Sequence, residues 1–284
     1  MSYPILLNIN NQVAQHQFRY QFSQPIDFSQ YEVALGSISI FYSWQAINTQ
    51  RNNGTFKIIW PTAATTTTYT ITLPNGTYTA SDINAYLQYW SIQNKLYLIN
   101  NTTGDYYYLI SVAENPSAYA IQFNFKSVSP LSEYTAATGF PTMPATAYTP
   151  QLQIIDTGTN SFGSTIGFSL GVYPSTQTTT AYSTNSNLVP LLDPVAAILV
   201  GLSNLDNPLS QNNQIFHNFT SADVAYGSLI TTSQGQGIAY TPMQGSNNEI
   251  MLSFYDQNGL PLQIIDSNVC IRLLMRPKKP GSSN

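Results

Sequence analysis

The sequence predicts an all-β protein built from antiparallel sheets. Three observations indicate this fold class: apolar and polar residues alternate along several segments, only 8% of the 284 residues are charged, and 13% are aromatic. An alternation with a period of two is the pattern of a strand with one buried and one solvated face. Such strands are typical of antiparallel sheets, because parallel sheets are usually covered on both faces.

Three segments show the alternation most clearly. Their apolar positions are Phe18, Tyr20 and Phe22 in the first, Tyr69, Ile71 and Leu73 in the second, and Tyr119, Ile121, Phe123 and Phe125 in the third. A fourth segment, Tyr31–Tyr42, changes the parity of its apolar positions around Gly36. We expect one long bent strand there, because a bulge inserts an extra residue and glycine tolerates it.

One short helix is predicted over about residues 81–94. Ser81 is the expected N-cap, and Ile83, Tyr86, Leu87 and Trp90 recur with helical spacing. Residues 195–202 fit a helix or a strand, and we favour the strand because Gly201 interrupts the run. Three Asn-Gly pairs, Asn53-Gly54, Asn75-Gly76 and Asn258-Gly259, are predicted to form hairpin turns.

Composition excludes several other classes of protein. Disordered chains usually combine high charge with few aromatic residues, which is the reverse of this composition. The single cysteine, Cys270, excludes a disulfide scaffold, and it cannot form a zinc site with only His16 and His217. No apolar run is long enough for a membrane span, and the N-terminal residues lack the basic start of a secretory signal. We expect no cofactor, no membrane span and synthesis inside the cell.

The length suits a single β domain, which we predict over residues 1–276. Residues 128–149 and 173–187 are rich in Thr, Ser, Pro, Ala and Tyr and show little periodicity. Loops of this length inside a domain are usually functional or disordered. We interpret both segments as ordered surface that packs on something.

Basic residues are concentrated near the C-terminus. Arg272, Arg276, Lys278 and Lys279 are four of the nine, and the first 271 residues hold five basic and thirteen acidic groups, a net charge of −8. We expect residues 277–284 to form a flexible basic tail. The tail either serves solubility alone or makes weak, non-specific contact with nucleic-acid phosphates through Arg276, Lys278 and Lys279.

One motif is typical of an enzyme. Residues 167–171 match the G-x-S-x-G nucleophile elbow around Ser169, and Asp193 or Asp206 and then His217 follow in the order of α/β-hydrolases. The elbow requires a strand that leads into a helix, whereas a Thr-rich loop without helical periodicity follows here. We therefore interpret the segment as a strand between two glycines and predict that the chain is not an enzyme.

Several segments, in order along the chain, resemble the minor capsid (penton) proteins of virophages and of the related Polinton (Maverick) elements. The segments that carry the resemblance are Phe28–Leu35, Phe41–Trp44, Asn52–Phe56, Ile71–Tyr78, Ser81–Asn84, Ile166–Phe168, Glu249–Tyr255 and Val269–Met275.

This resemblance implies an antiparallel single jelly-roll sandwich with long loop insertions, which we expect within 128–187. It implies a homopentamer at each vertex of an icosahedral capsid, surrounded by double-jelly-roll major capsid proteins, and a location in the virion. The family has no catalytic residues to assign. The composition agrees, because interface cores are poor in charge and rich in aromatic residues.

A carbohydrate- or receptor-binding β module of a viral tail or adhesin is the alternative. Low charge with many aromatic residues suits sugar stacking as well as protein contact. Trp44, Trp60 and Trp90 are the expected platform residues, although Trp90 falls on the apolar stripe of the predicted helix.

Overall fold

The structure is a computed structural model that describes residues 2–63, 65–129, 132–155, 161–208, 214–222, 224–233 and 238–278. The chain forms two compact units. The first unit combines Met1–Trp44 with Val195–Asn284, and the second unit is Gln45–Pro194. The second unit is thus a continuous stretch of chain that interrupts the first.

The strands are antiparallel throughout the described residues. In the first unit the chain begins with β1 (Tyr3–Asn8), β2 (Gln12–Ala14), β3 (Gln17–Asp27) and β4 (Tyr31–Phe41). The second unit contains β5 (Thr55–Pro61), β6 (Thr66–Thr72), β7 (Tyr97–Asn100), β8 (Tyr106–Tyr108), β9 (Ile110–Asn115), β10 (Ala120–Phe125), β11 (Tyr134–Ala136), β12 (Gln151–Ile154), β13 (Gly171–Tyr173) and β14 (Tyr182–Asn185), with helices α1 (Ala80–Gln93) and α2 (Phe162–Ile166). The first unit ends with β15 (Ile198–Leu202), β16 (Ile215–Phe219), β17 (Leu229–Ser233), β18 (Thr241–Pro242), β19 (Ser246–Asp256) and β20 (Cys270–Pro277).

The first unit has the strand order of a jelly roll. One sheet runs β1-β20-β4-β17, and the other runs β3-β19-β15-β16, with β18 and β2 as additional edge pieces. If the eight principal strands are counted along the chain, the two orders are 1-8-3-6 and 2-7-4-5. This is the double Greek-key arrangement of a jelly roll. The predictions of an all-β antiparallel fold and of a jelly roll are confirmed.

The inner faces of the two sheets of the first unit form one hydrophobic core. Its fully buried side chains include Leu7, Val33, Leu35, Ile38, Ile40, Ile271 and Leu273 from one sheet and Phe18, Ile198, Val200, Leu252 and Phe254 from the other. Each such side chain contributes about 1.5–3 kcal/mol by leaving water. Residues 195–202 were predicted to form a strand, and β15 confirms this.

Strand β4 is long and carries the expected bulge. Its register with β20 shifts where Leu273 pairs with Leu35 and Arg272 pairs with Ser37, which leaves Gly36 as the extra residue. Apolar side chains on both sides of the bulge therefore point into the same core. The predicted bent strand over this segment is confirmed.

The second unit is joined to the jelly roll between its third and fourth principal strands, β4 and β15. It holds three sheets, with orders β13-β12-β5-β6, β14-β10-β9 and β11-β7-β8, and its own core around Phe56, Trp60 and Phe123. Insertions were predicted within 128–187, and those residues lie inside this larger unit. Periodicity could not reveal the boundary, because strands of an insertion alternate like strands of the main sheets.

Helix α1 begins earlier than expected. Thr79, not Ser81, is the N-cap: its Oγ1 accepts a hydrogen bond from the Asp82 N–H at 3.2 Å, and Asp82 Oδ2 accepts one from the Thr79 N–H at 2.8 Å. Ile83 and Leu87 are buried on the expected stripe. No helix among the described residues has both the length and the apolar character needed to cross a membrane.

Two of the turn predictions and one strand boundary are wrong. Only Asn258-Gly259 forms a turn after a strand, with Gly259 in the left-handed region at φ 78°. Asn53 is instead buried, with its side chain hydrogen-bonded, and Gly76 pairs with Ile47 in an isolated bridge. Tyr119, expected in a strand, precedes β10 and is 73% exposed.

Candidate functional site

The basic residues at the end of β20 are engaged within the first unit. Arg276 forms an ion pair with Glu32 through its Nε, and its guanidinium lies 3.5 Å from the centre of the Tyr240 ring. Lys278 donates its backbone N–H to the Gln30 carbonyl at 2.8 Å and its Nζ to the Met243 carbonyl at 3.3 Å. The ion pair with Glu32 reduces the charge that Arg276 can offer to phosphate, whereas Lys278 donates to a neutral carbonyl and keeps its positive charge.

Strand β20 reaches Pro277, which pairs with Tyr31, so the ordered part continues past residue 276. Lys279, the third residue expected to contact nucleic acid, lies outside the described residues, as does the rest of 279–284. The contact with nucleic acid therefore remains a prediction. Near this segment, hydrogen bonds from the Ser29 side chain and backbone, followed by the charge of Lys278, lower the pKa of Asp27.

The residues of the hydrolase-like motif lie in a different context from a nucleophile elbow. Helix α2 ends at Gly167, which is left-handed at φ 77°, and β13 follows at Gly171. The helix thus precedes Ser169 instead of following it, and Ser169 itself lies in no strand, which corrects our interpretation of the segment. Ser169 Oγ lies 2.9 Å from the Tyr173 hydroxyl and accepts a hydrogen bond from Asn187 Nδ2 at 2.8 Å.

The histidine of that motif belongs to the other unit. Ser169 is in the second unit, whereas His217 lies on β16 of the first. Burial lowers the pKa of His217. Burial also lowers the pKa of His16, which is less deeply buried. Among the described residues, no three His, Cys, Asp or Glu side chains group in a way that could hold a metal ion.

The tryptophans do not form an exposed platform. Trp44 is 1% exposed and Trp60 is fully buried, while Trp90 packs its ring against Tyr69 at 5.5 Å between centroids. The expected sugar-stacking role is therefore wrong for Trp44 and Trp60, and Trp90 is partly buried against the core of the second unit, as its place on the helical stripe indicated. Aromatic side chains favour the interior, because burial of each ring removes a large apolar area from water.

Tyrosines take the exposed positions instead. Tyr106 and Tyr108 on β8 project from the same face as their pairing partners on β7, Ile99 and Tyr97. The Tyr106 ring centroid lies 4.5 Å from that of Tyr97 and 6.5 Å from that of Tyr108, and Tyr106 is 48% exposed. Desolvation raises the pKa of Tyr97 and of Tyr108, so both hydroxyls are neutral near pH 7.

A second exposed feature of the second unit is an apolar groove of about 420 Å³. It lies between the β9–β10 turn, which carries Tyr119, and the segment 189–193. The sequence showed no periodicity in this segment, and only the exposure of Val189 and Leu191, at 59% and 49%, identifies it as surface. Apolar grooves that carry a few polar groups are common binding sites.

No protein-family model and no curated protein matches the chain. Among solved structures, the chain is similar to the mavirus penton protein, with 9% identity, a TM-score of 0.42, and coverage of 98% of this chain and 99% of that chain. It is also similar to a chain in the cryo-EM structure of the Sputnik virophage, with 14% identity, a TM-score of 0.38, and coverage of 100% and 99%.

Proposed function

We propose that this chain is a structural capsid protein, a penton subunit that forms homopentamers at the vertices of an icosahedral virion. Double-jelly-roll major capsid proteins would surround each pentamer, and the chain would have no enzymatic activity. The resemblance of its sequence to penton proteins of virophages and Polinton elements supports this proposal.

The observation that carries the proposal is a jelly roll in a chain that has few charges and exposes apolar side chains in both units. Only 22 of 284 residues are charged. Large apolar or tyrosine side chains more than a third exposed occur in both units: Tyr3, Leu6, Ile9, Val13, Tyr226, Leu229, Ile238 and Ile265 in the first, and Tyr89, Tyr106, Tyr119, Ile155, Leu170, Leu188, Val189 and Leu191 in the second. A surface of this kind suits a subunit that neighbours cover on several sides.

Ring assembly joins one patch of each copy to a different patch of the next copy. Contacts between apolar and neutral polar groups avoid the desolvation cost of burying ions. A weakly charged chain also contributes little long-range repulsion to oppose closure of the ring. In this proposal a contact with packaged DNA depends mainly on Lys279, because Arg276 and Lys278 already have partners in the first unit.

The test is the mass and shape of the purified chain in solution. We expect a species near 157 kDa, five times the chain mass of 31.3 kDa, and rings with five-fold symmetry by negative-stain microscopy. The ring should persist in 0.5 M NaCl, because salt screens exposed ion pairs and leaves apolar contacts intact. A stable monomer or trimer at micromolar concentration would contradict the proposal.

Glycan binding is a second candidate, favoured by Tyr106 of β8, which is 48% exposed. Aromatic rings offer an apolar face and a polar hydroxyl together. If this function is correct, a neutral glycan found by array screening binds the purified chain, and Tyr106→Ala weakens it at least tenfold. Tyr89→Ala is the matched control, since Tyr89 is 57% exposed on α1 of the same unit. Equal effects of both variants would exclude this site.

A further inference from the structure

The apolar groove of the second unit combines exposed apolar walls with acidic groups. Tyr119 forms one wall, and Val189 and Leu191 form the other, while the acidic residues Glu114 and Asp193 are also among the lining residues. Tyr119 is the most exposed of these three wall residues, at 73%. An occupant that matches this lining must be basic and must also carry apolar surface.

The walls of the groove are held by backbone hydrogen bonds. The N–H of Leu191 donates to the Thr165 carbonyl at 2.9 Å, which fixes the 189–193 segment against α2. On the opposite side, the turn before Tyr119 is closed by the Ala118 N–H, which donates to the Asn115 carbonyl at 3.1 Å. A groove with fixed walls loses less conformational entropy when it binds an extended peptide than a groove with mobile walls.

The chain contains a segment with the required chemistry. Residues 278–284 read Lys-Lys-Pro-Gly-Ser-Ser-Asn and contain no acidic side chain. Proline favours an extended polyproline conformation, which docks in grooves lined by aromatic side chains. A lysine beside the proline can pair with an acidic residue of the groove, in a chain whose first 271 residues carry a net charge of −8.

The origin of this segment is anchored. Lys278 donates its backbone N–H to the Gln30 carbonyl at 2.8 Å, so the chain is held at the end of β20 immediately before Lys279.

We propose that the groove binds residues Lys279–Asn284 of a second copy of this chain, with Lys279 at Glu114 and Pro280 against Tyr119. The inference rests on the proposed function, because it assigns one of the heterologous contacts that a homopentameric ring requires. The segment then acts as an arm that joins neighbouring copies. Lys279 then pairs with protein and is not available to DNA, so this inference keeps the pentamer of the proposed function and replaces its contact with packaged DNA.

A first experiment measures binding of the segment itself. A fluorescent peptide of residues 278–284 is titrated into the full chain carrying Lys279→Glu, which weakens competition from the chain's own segment. We expect saturable binding that Glu114→Gln weakens about three- to tenfold at low salt, and that 0.5 M NaCl reduces. Glu133→Gln is the matched control, because Glu133 is an exposed acid elsewhere in the second unit.

Absence of saturable binding, or equal weakening by both glutamine variants, would overturn the inference. So would a peptide that binds short duplex DNA and not the protein. Because the peptide titration does not require rings, it separates the two proposals. Binding in the groove without any five-fold ring would defeat the penton proposal and leave the groove's specificity intact.

A second experiment decides which copy supplies the segment. Two full-length chains, both with the exposed Cys270 changed to Ser, are mixed under mild oxidation. One carries Ser282→Cys and the other carries Val189→Cys, with Tyr89→Cys as the control for a similarly exposed position. We expect the disulfide between chains to form at least tenfold faster with Val189→Cys. A third chain carries both Ser282→Cys and Val189→Cys. Contact with a second copy is excluded if rings form without the preference for Val189→Cys, or if this third chain forms only the disulfide within one copy.

Discussion

Gly36 on β4 lies against the Arg272 carbonyl of β20, and a Cβ placed on Gly36 would stand 3.0 Å from that oxygen. The same Cβ would lie 3.3 Å from side-chain carbons of Arg272 and Leu274. The bulge therefore depends on a missing side chain as well as on backbone geometry. It keeps Leu35 and Ile38, on either side of it, in the same core.

Replacement of Gly36 by alanine is expected to destabilise the first unit by about 1–3 kcal/mol, because the neighbouring strand must move to admit the methyl group. Gly201→Ala is the matched control: Gly201 also lies at a register shift, but a Cβ placed on it would stand 3.4 Å from the nearest atom, an ordinary contact. Urea denaturation measures both variants. Equal losses would show that the close approach to Arg272 has no special cost.

The buried amide of Asn53 connects three parts of the second unit. Its Oδ1 accepts the Asn48 N–H at 3.0 Å, and its Nδ2 donates to the Ala46 carbonyl at 3.0 Å and to Thr165 Oγ1 at 3.1 Å. Asn53→Ala should cost about 2–4 kcal/mol, because it leaves buried polar groups without partners.

Asn258→Ala is the control for Asn53, since Asn258 is exposed in a turn and only its backbone N–H bonds to Asp256. We expect this change to alter the free energy of unfolding by less than about 0.5 kcal/mol. Chemical denaturation followed by tyrosine and tryptophan fluorescence provides the comparison. A small loss from Asn53→Ala would refute the connecting role of that amide.

The N-cap of α1 gives a test of the revised helix boundary. Thr79→Ala should destabilise the protein by about 1 kcal/mol, because it leaves the Asp82 N–H without its acceptor. Ser81→Ala should change stability by only a few tenths of a kcal/mol, since Ser81 lies within the first turn and is exposed. The reverse ranking in thermal unfolding would restore Ser81 as the cap.

The carboxylate of Asp82 makes that cap sensitive to pH. Hydrogen bonds from the Thr79 side chain and backbone lower the pKa of Asp82 below its usual 3.8. A lowered pKa in the folded state means that the stabilisation is complete above pH 4 and is lost as the pH falls through the folded pKa. The melting temperature of Asp82→Asn should therefore lie below that of the unmodified chain at pH 7, and the gap should close in acid. A gap independent of pH would contradict this.

Arg276 should matter more for folding than for phosphate binding. Arg276→Ala removes the ion pair with Glu32 and the contact with Tyr240, and we expect a loss of about 1 kcal/mol. Arg272→Ala is the control, because Arg272 is exposed on the same strand. Unfolding and DNA filter binding are measured on both. Loss of DNA binding by Arg276→Ala without loss of stability would reverse this assignment.

Local pattern predicted much of the fold. The alternation around Gly36 predicted both the long strand and its bulge, since each depends on residues adjacent in sequence. The stripe of Ile83 and Leu87 predicted α1 for the same reason. The prediction of Ser81 as its cap was wrong by two residues, because Ser and Thr can both accept the capping hydrogen bond and only the backbone conformation chooses between them.

The exposed surfaces were not predictable in the same way. Trp60 and Tyr106 are both aromatic residues in strands, yet one is fully buried and the other half exposed. Their difference follows from which face of each sheet another element covers. Similarly, Glu114 and Val189 meet at one groove although they are far apart in sequence.

From its sequence alone, then, this protein is antiparallel, poor in charge and rich in aromatic residues, because composition and period-two alternation are properties of the chain itself. Tertiary structure decided that residues 45–194 form a separate unit, that Arg276 and Lys278 are engaged, and which apolar side chains remain exposed. These outcomes depend on contacts between residues distant in sequence, and such contacts leave no local pattern.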